Sequence, residues 1–297
     1  MSPATQGHLA MLCFSACVAG SFSLGAQVAN EIAPSALNAV RFWLAAALVG
    51  VWFAGTTRST GGAWRAPWRY LVLGGLFGTY FVLMFEGLKT APPVSAAAVF
   101  TLTPILSGVF GWVLLRQITT RRMAMALAIG AAGALWVIFR ADLRALTAFD
   151  IGRGEIIYFA GCLCHAIYTP MVRRLNRGEP ALVFTFGTLI GGGVVLTAFG
   201  WREIMATPWT QLPPLVWITL GYLAVFASAA SVWLLQVAAL RLPSAKVMAY
   251  TYLVPTWVIG WEFAFGRALP AALVLGGVAL TVLALLLLLR DEEPARL

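Results

Sequence analysis

The chain has 297 residues, of which 61% are hydrophobic and only 10% charged, with a formal net charge of +9. A soluble domain is about a quarter charged, so this chain lacks the polar surface to cover a water-facing exterior, and lipid must be its main solvent. The basic excess lies in short loops between apolar runs, not in one aromatic-interleaved patch; it reads as a membrane-orientation signal and argues against nucleic acid as a partner.

The first apolar run, residues 8–29, has no basic stretch before it and exceeds the roughly 7–15 residues of a signal-peptide core. It is expected to be a retained first helix. A hydrocarbon core about 30 Å thick takes about 20 helical residues. Runs of that length predict further helices over 35–56, 69–88, 93–115, 122–140, 154–174, 180–200, 212–237, 244–265 and 270–290. Turn residues mark the breaks: Asn30-Glu31 and Pro34, Gly61-Gly62, Pro92-Pro93, Gly178-Glu179-Pro180, Pro213-Pro214, Pro243 and Pro270. Cys13, Cys17, Cys162 and Cys164 all fall in apolar runs, in neither a zinc nor a CxxC redox pattern, and are expected to be buried free thiols.

Alternate loops differ in charge. One set and the C-terminal tail hold Arg58, Arg65, Arg69, Arg116, Arg121, Arg122, Arg173, Arg174, Arg177, Arg241, Lys246, Arg290 and Arg296. The other set holds Lys89, Arg140, Arg144, Arg153, Arg202 and Arg267. The bias predicts both termini in the cytoplasm of a bacterial-type inner membrane, as an even number of spans allows.

The two halves look alike. Glu31-Ile-Ala-Pro34 opens the second span and Glu179-Pro180 the seventh; Pro92-Pro93 precedes the fourth and Pro243 the ninth. Within the fourth and ninth spans, Phe100-Thr-Leu-Thr-Pro104 matches Thr251-Tyr-Leu-Val-Pro255. A five-span repeat has an odd number of crossings, so its two copies enter the membrane from opposite sides. The expectation is an all-α membrane protein with ten transmembrane helices as two inverted five-helix repeats, 1–148 and 149–297. Such an arrangement is typical of secondary transporters.

A proline inside a helix removes a hydrogen bond and kinks the helix. Pro104 and Pro255 are therefore the expected hinges. The disturbed turns carry Phe100 and Thr101 in one half and Thr251 and Tyr252 in the other; the threonines either line a cavity or bond back to their own helices. Arg41, two turns into the second span, either ties down a carbonyl, snorkels to the interface, or meets a substrate carboxylate. His165 lies mid-way along the sixth span, as a packed side chain or a cavity wall. Tyr80, Tyr168, Tyr250 and Tyr252 combine apolar bodies with hydroxyls that need partners, and Gln236 is a further polar group in a span. Glu86 and Glu262, near span ends, are read as interfacial. The glycines Gly74, Gly75, Gly78, Gly130, Gly133, Gly191, Gly192, Gly193, Gly276 and Gly277 are assigned to helix packing.

Arg41-Phe-Trp-Leu-Ala-Ala-Ala-Leu, Gly87-Leu-Lys89-Thr-Ala-Pro and the Pro104 helix, followed by the Gly130–Gly133 helix, resemble the EamA-type drug/metabolite transporter superfamily over nearly the whole chain. The resemblance implies ten spans, inverted repeats and export of small metabolites, often amino acids; among subfamilies the chain looks closest to the aromatic amino acid exporters. It departs from the pattern at Arg116 and Arg267, where the family usually has Glu, and at His165, where it usually has Trp. The expected function is secondary export of neutral and aromatic amino acids or similar metabolites by alternating access. Export of drugs or cationic compounds is the alternative, and a structural membrane protein the reading from another class. No phosphate-binding loop, intramembrane catalytic cluster, metal site, cofactor or obligate protein partner is indicated; the partners are a small-molecule substrate and membrane lipid.

Overall fold

The structure, a computed structural model, describes residues 2–56, 62–148 and 151–289. Arg58, Gly61, Arg290 and Arg296 lie outside the described residues. The described residues are nearly all helical, and nine helices are long and apolar enough to cross a membrane. They are α1 (Pro3–Val28), α2 (Pro34–Thr56), α3 (Trp68–Leu88), α4 (Pro93–Leu115), α5 (Arg121–Ile138), α6 (Arg153–Leu175), α7 (Ala181–Phe199), α8 (Pro214–Ala239) and α10 (Ala272–Leu289). Between the last two, α9 covers 244–264 as two α-helical pieces joined by a 3₁₀ turn at Tyr250–Leu253.

The ends differ from the sequence expectation by a few residues, for local reasons. α1 starts at Pro3, well before residue 8, because Ser2 caps it: the Ser2 side chain accepts from the Thr5 N–H, and Pro3 sits where its missing N–H costs nothing. Two short helices, Leu143–Ala148 and Trp201–Ala206, fill loops that hydropathy leaves blank. Of the four cysteines only Cys162 is buried; Cys13 is exposed, and Cys17 and Cys164 are half-buried. A helix solvated by lipid turns apolar residues outward as readily as inward, so apolar context does not imply burial. Glu86 pairs with Lys89 at 2.7 Å and Glu262 with Arg267 at 3.0 Å, each near a helix end.

The two expected hinges are helix restarts rather than mid-helix kinks. α4 stops at Phe100 and resumes at Thr103, with Pro104 in the first turn of the new segment. α9 resumes at Val254 with Pro255 in the same place. Proline suits a first turn because an N–H there has no intrahelical partner. Each restart still frees a carbonyl four residues upstream. Phe100 O accepts from Thr103 Oγ1 at 2.6 Å, and Thr251 O accepts the Val254 N–H. Thr103 Oγ1 and Thr251 Oγ1 lie 3.3 Å apart, so the two breaks face each other.

Small residues set the closest crossings. A Cβ added at Gly74 would lie 2.6 Å from the Gly191 carbonyl carbon and 2.7 Å from Gly192 Cα, so α3 and α7 touch backbone to backbone. Gly87 on α3 approaches the Gly154 carbonyl of α6, and Gly133 on α5 approaches the Gly277 carbonyl of α10, in the same way. Gly276 differs from the packing role expected of it, since nothing stands within 4 Å of its added Cβ.

At the end of the bundle where the arginine-rich loops gather, Arg69 and Glu179 form a buried ion pair at 2.6 Å. Arg69 also donates to the carbonyls of Ala63, Ala66 and Leu175. It thus joins the start of α3 to the end of α6 and the entry to α7. Burial alone pushes the Glu179 carboxyl up, but bonds from Arg69 and from the Arg177 backbone N–H outweigh it and hold the group below its ordinary value of 4.5.

Two outcomes follow. Gly74→Ala should lower the melting temperature of the detergent-purified protein by several degrees, because overpacking costs ~1–3 kcal/mol, whereas Gly276→Ala should leave it unchanged. A Glu with a depressed pKa stabilises fully above its unfolded value and loses that contribution as pH falls through its folded one. Glu179→Gln should therefore lower the melting temperature at pH 7, as breaking a buried pair costs ~3–5 kcal/mol. The gap to wild type should narrow as pH drops below about 4.5. A gap of constant size from pH 7 to pH 3 would count against the ion pair.

Candidate functional site

α6 carries His165 near its mid-point, and aromatic rings enclose it. The ring centroids of Tyr80 and Phe77 on α3 lie 4.6 and 5.3 Å away. Phe100, the last residue before the α4 break, is at 5.3 Å, Tyr168 at 6.1 Å and Phe14 of α1 at 6.5 Å. Most of these contacts are edge-on or tilted, as ring quadrupoles favour. His165, Phe77, Tyr80, Phe100 and Tyr168 are each 2% exposed or less. The rings therefore pack against one another and their neighbours in this conformation. His165 Nδ1 is buried and lacks a hydrogen-bond partner, a costly arrangement for a ring nitrogen.

One turn beyond His165, Pro170 stands inside α6. It deprives Ala166 O of its usual donor, and Ser107 Oγ of α4 supplies a replacement at 3.4 Å. The histidine therefore precedes a locally weakened turn that leans on the segment after the Pro104 break.

Polar groups flank the rings on two sides. Tyr80 and Tyr158 hydroxyls meet at 3.1 Å. Gln236 of α8 donates to the Tyr168 hydroxyl and to Thr188 Oγ1, both at 3.1 Å, and accepts from Thr185 Oγ1 at 3.1 Å.

Arg41 is fully buried, and its charge meets no carboxylate among the described residues. Its guanidinium lies 3.5 Å from the centre of the Phe81 ring. Its hydrogen bonds run to Asn38 Oδ1 at 3.2 Å, Ser228 Oγ at 2.5 Å and Ala227 O at 2.5 Å. The last contact has a specific origin. Val225–Ala230 of α8 is a π-helical turn. In an α-helix the Ser231 N–H would reach Ala227 O; here it reaches Phe226 O, and the released Ala227 carbonyl receives Arg41. Arg41 therefore ties down a carbonyl and does not snorkel to the interface.

The site residues named from sequence divide into groups. Tyr80, Phe100, His165 and Tyr168 form one ring cluster; Gln236 joins it through Tyr168, and Arg41 through Phe81, whose ring lies 4.7 Å from that of Tyr80. Thr101 bonds back to Ala98 O at 2.6 Å, and Thr251 faces Thr103. Tyr250 lies toward the start of α9, with its hydroxyl 3.0 Å from His8 Nδ1. Tyr252 packs on Gly130 of α5 and donates to Leu127 O at 3.4 Å. Sequence reasoning missed Phe14, Phe77, Phe81 and Tyr158 as walls, although Phe77, three residues before Tyr80 and four before Phe81, has the spacing of a helical neighbour to both. It also missed the π-helical turn, for which the run Val225-Phe-Ala-Ser-Ala-Ala230 offers no signal.

A profile of the EamA-like transporter family matches the chain twice, over residues 5–139 and 152–290. The chain is 27% identical over 276 residues to the uncharacterized transporter YyaM of Bacillus subtilis (strain 168), a match covering 91% of this chain and 90% of that protein. A crystal structure of a protein with 20% identity superposes with a TM-score of 0.71, covering 97% of this chain and 96% of its own, which speaks to the fold alone. With ten helices, paired breaks in α4 and α9 and a family match in each half, the chain belongs to the EamA-like transporter family.

Proposed function

We propose that the chain exports neutral and aromatic amino acids, or similar small metabolites, across the inner membrane by alternating access. The observation that carries this reading is the pairing of an aromatic cluster with a buried guanidinium that has no acidic partner. An aromatic or large apolar side chain would stack among Tyr80, Phe77, Phe100, His165 and Tyr168. A carboxylate would find at Arg41 a full positive charge beside these rings. Gln236 and the threonines of α7 would serve the amino group. A cationic drug would gain the aromatic faces but would meet Arg41 as a like charge, so the amino acid is the better fit.

Movement would come from the segments that follow the breaks. Thr103–Leu115 and Val254–Ala264 meet near Thr103 and Thr251, while glycine contacts hold α3 to α6 and α7. The two broken helices would rock against that fixed part, exposing the cluster to one side and then the other. With no acid among the ring contacts, uptake down a metabolite gradient is the expected mode.

Proteoliposomes test this. Radiolabelled phenylalanine, tyrosine, leucine and an organic cation would be offered with and without a pH gradient. Amino acids should enter without the gradient, and Tyr80→Ala and His165→Ala should each slow entry about tenfold, equivalent to roughly 1.4 kcal/mol of lost contact. Arg41→Gln should erode the preference for phenylalanine over phenylalaninamide, in protein that elutes as a single species. Uptake of the cation alone would overturn the assignment.

A further inference from the structure

A groove of about 660 Å³ opens on the outside of the bundle, between the second half of α4 and the first half of α5. Ile105, Val109 and Trp112 form one wall, Ala124 and Ala128 the other, and Ile118 the end. Val109, Trp112 and Ile118 are more than half exposed. In a membrane these side chains face lipid, and an apolar trough along two spans is shaped for a hydrocarbon chain rather than for a water-soluble molecule.

The chain around Ile118, at one end of the groove, is basic. The turn joining α4 to α5 carries Arg116, and the first turn of α5 carries Arg121 and Arg122; all three are exposed. None of the three side chains has an ion-pair or hydrogen-bond partner among the described residues. No Asp or Glu occurs between Glu86 and Asp142, so no acid on this stretch of chain offsets them. Arg174 of α6 adds a further guanidinium, held at the end of α4 by a 2.9 Å bond from its Nη1 to Leu114 O. The buried Arg41 and Arg69 are met by carbonyls, side-chain oxygens or a carboxylate; Arg116, Arg121 and Arg122 are left exposed.

We propose that this groove is a binding site for one anionic phospholipid, its acyl chain along Val109, Trp112 and Ala128 and its phosphate at Arg116, Arg121 and Arg122. Charge complementarity selects the occupant. A zwitterionic lipid supplies the same hydrocarbon but no net charge to meet three cations, and basic pockets between spans are where anionic headgroups settle. The site does not depend on which solute is transported. Its walls include the α4 segment that follows the Thr101–Leu102 break, so a bound lipid would brace that segment against α5.

The test uses the purified full chain in nanodiscs and in detergent for native mass spectrometry. Phosphatidylglycerol should be retained as a one-to-one adduct at least tenfold more strongly than phosphatidylcholine, because only the former brings a net negative charge to the three arginines. Combined Arg116→Gln, Arg121→Gln and Arg122→Gln should abolish the preference. Ala128→Phe, which fills the groove and keeps every charge, should also remove the adduct; Arg144→Gln, at the other end of the bundle, should not. Inorganic phosphate should fail to displace the lipid, since the acyl chain contributes to binding. Equal retention of both lipids, an adduct that survives Ala128→Phe, or displacement by phosphate would each overturn the proposal.

Discussion

A guanidinium inside a membrane protein must be solvated by protein, and the centre of this molecule is arranged around that requirement at Arg41. The cost of a charge at depth is several kcal/mol even by the gentlest scales. Three hydrogen-bond acceptors and one aromatic ring meet it. Asn38 comes from the same face of α2, Ser228 and Ala227 come from α8, and the Phe81 ring covers one side. The Ala227 carbonyl is available because the helix widens into a π turn and releases it. Irregular backbone on α8 and buried charge on α2 are therefore one feature: each would be unfavourable without the other. Phe81 belongs to α3, so the same charge also places the helix that carries Tyr80 and Phe77.

The same accounting of backbone groups explains the other irregular places. Pro104, Pro170 and Pro255 each withhold an N–H from a carbonyl four residues earlier. Phe100 O is served by a threonine hydroxyl, Ala166 O by a serine from a neighbouring helix, and Thr251 O by a tightened 3₁₀ turn. Two of these remedies lie within one helix. The third crosses from α4 to α6, at 3.4 Å, and is the weakest. The turn just beyond His165 is thus the one whose backbone depends on a helix that contains a break of its own.

The spans, the proline pairing of the halves and the small-residue crossings were legible in the sequence, because hydropathy, helix punctuation and glycine each act locally. Pro104 and Pro255 marked the breaks, but the form of those breaks was not legible. Whether a proline kinks a helix or restarts it depends on which hydroxyl or N–H can take the orphaned carbonyl. Residue type pointed to Tyr80, His165 and Tyr168, which the fold gathers into one ring cluster, while it could not tell that Tyr250 and Tyr252 turn toward His8 and Gly130. Which side of a helix a tyrosine faces is a tertiary property. Likewise, Glu179 looked like turn punctuation, and only the fold brings Arg69 to it.

The dry ring cluster has an electrical consequence. A cell membrane holds a potential across a few nanometres of hydrocarbon, and a continuous file of water that also passes ions would discharge it. Between the two ends of this bundle lies a layer of stacked rings with exposures of 2% or less, too tight to admit such a file. In this arrangement the ring layer offers ions no water-filled route from one end of the bundle to the other.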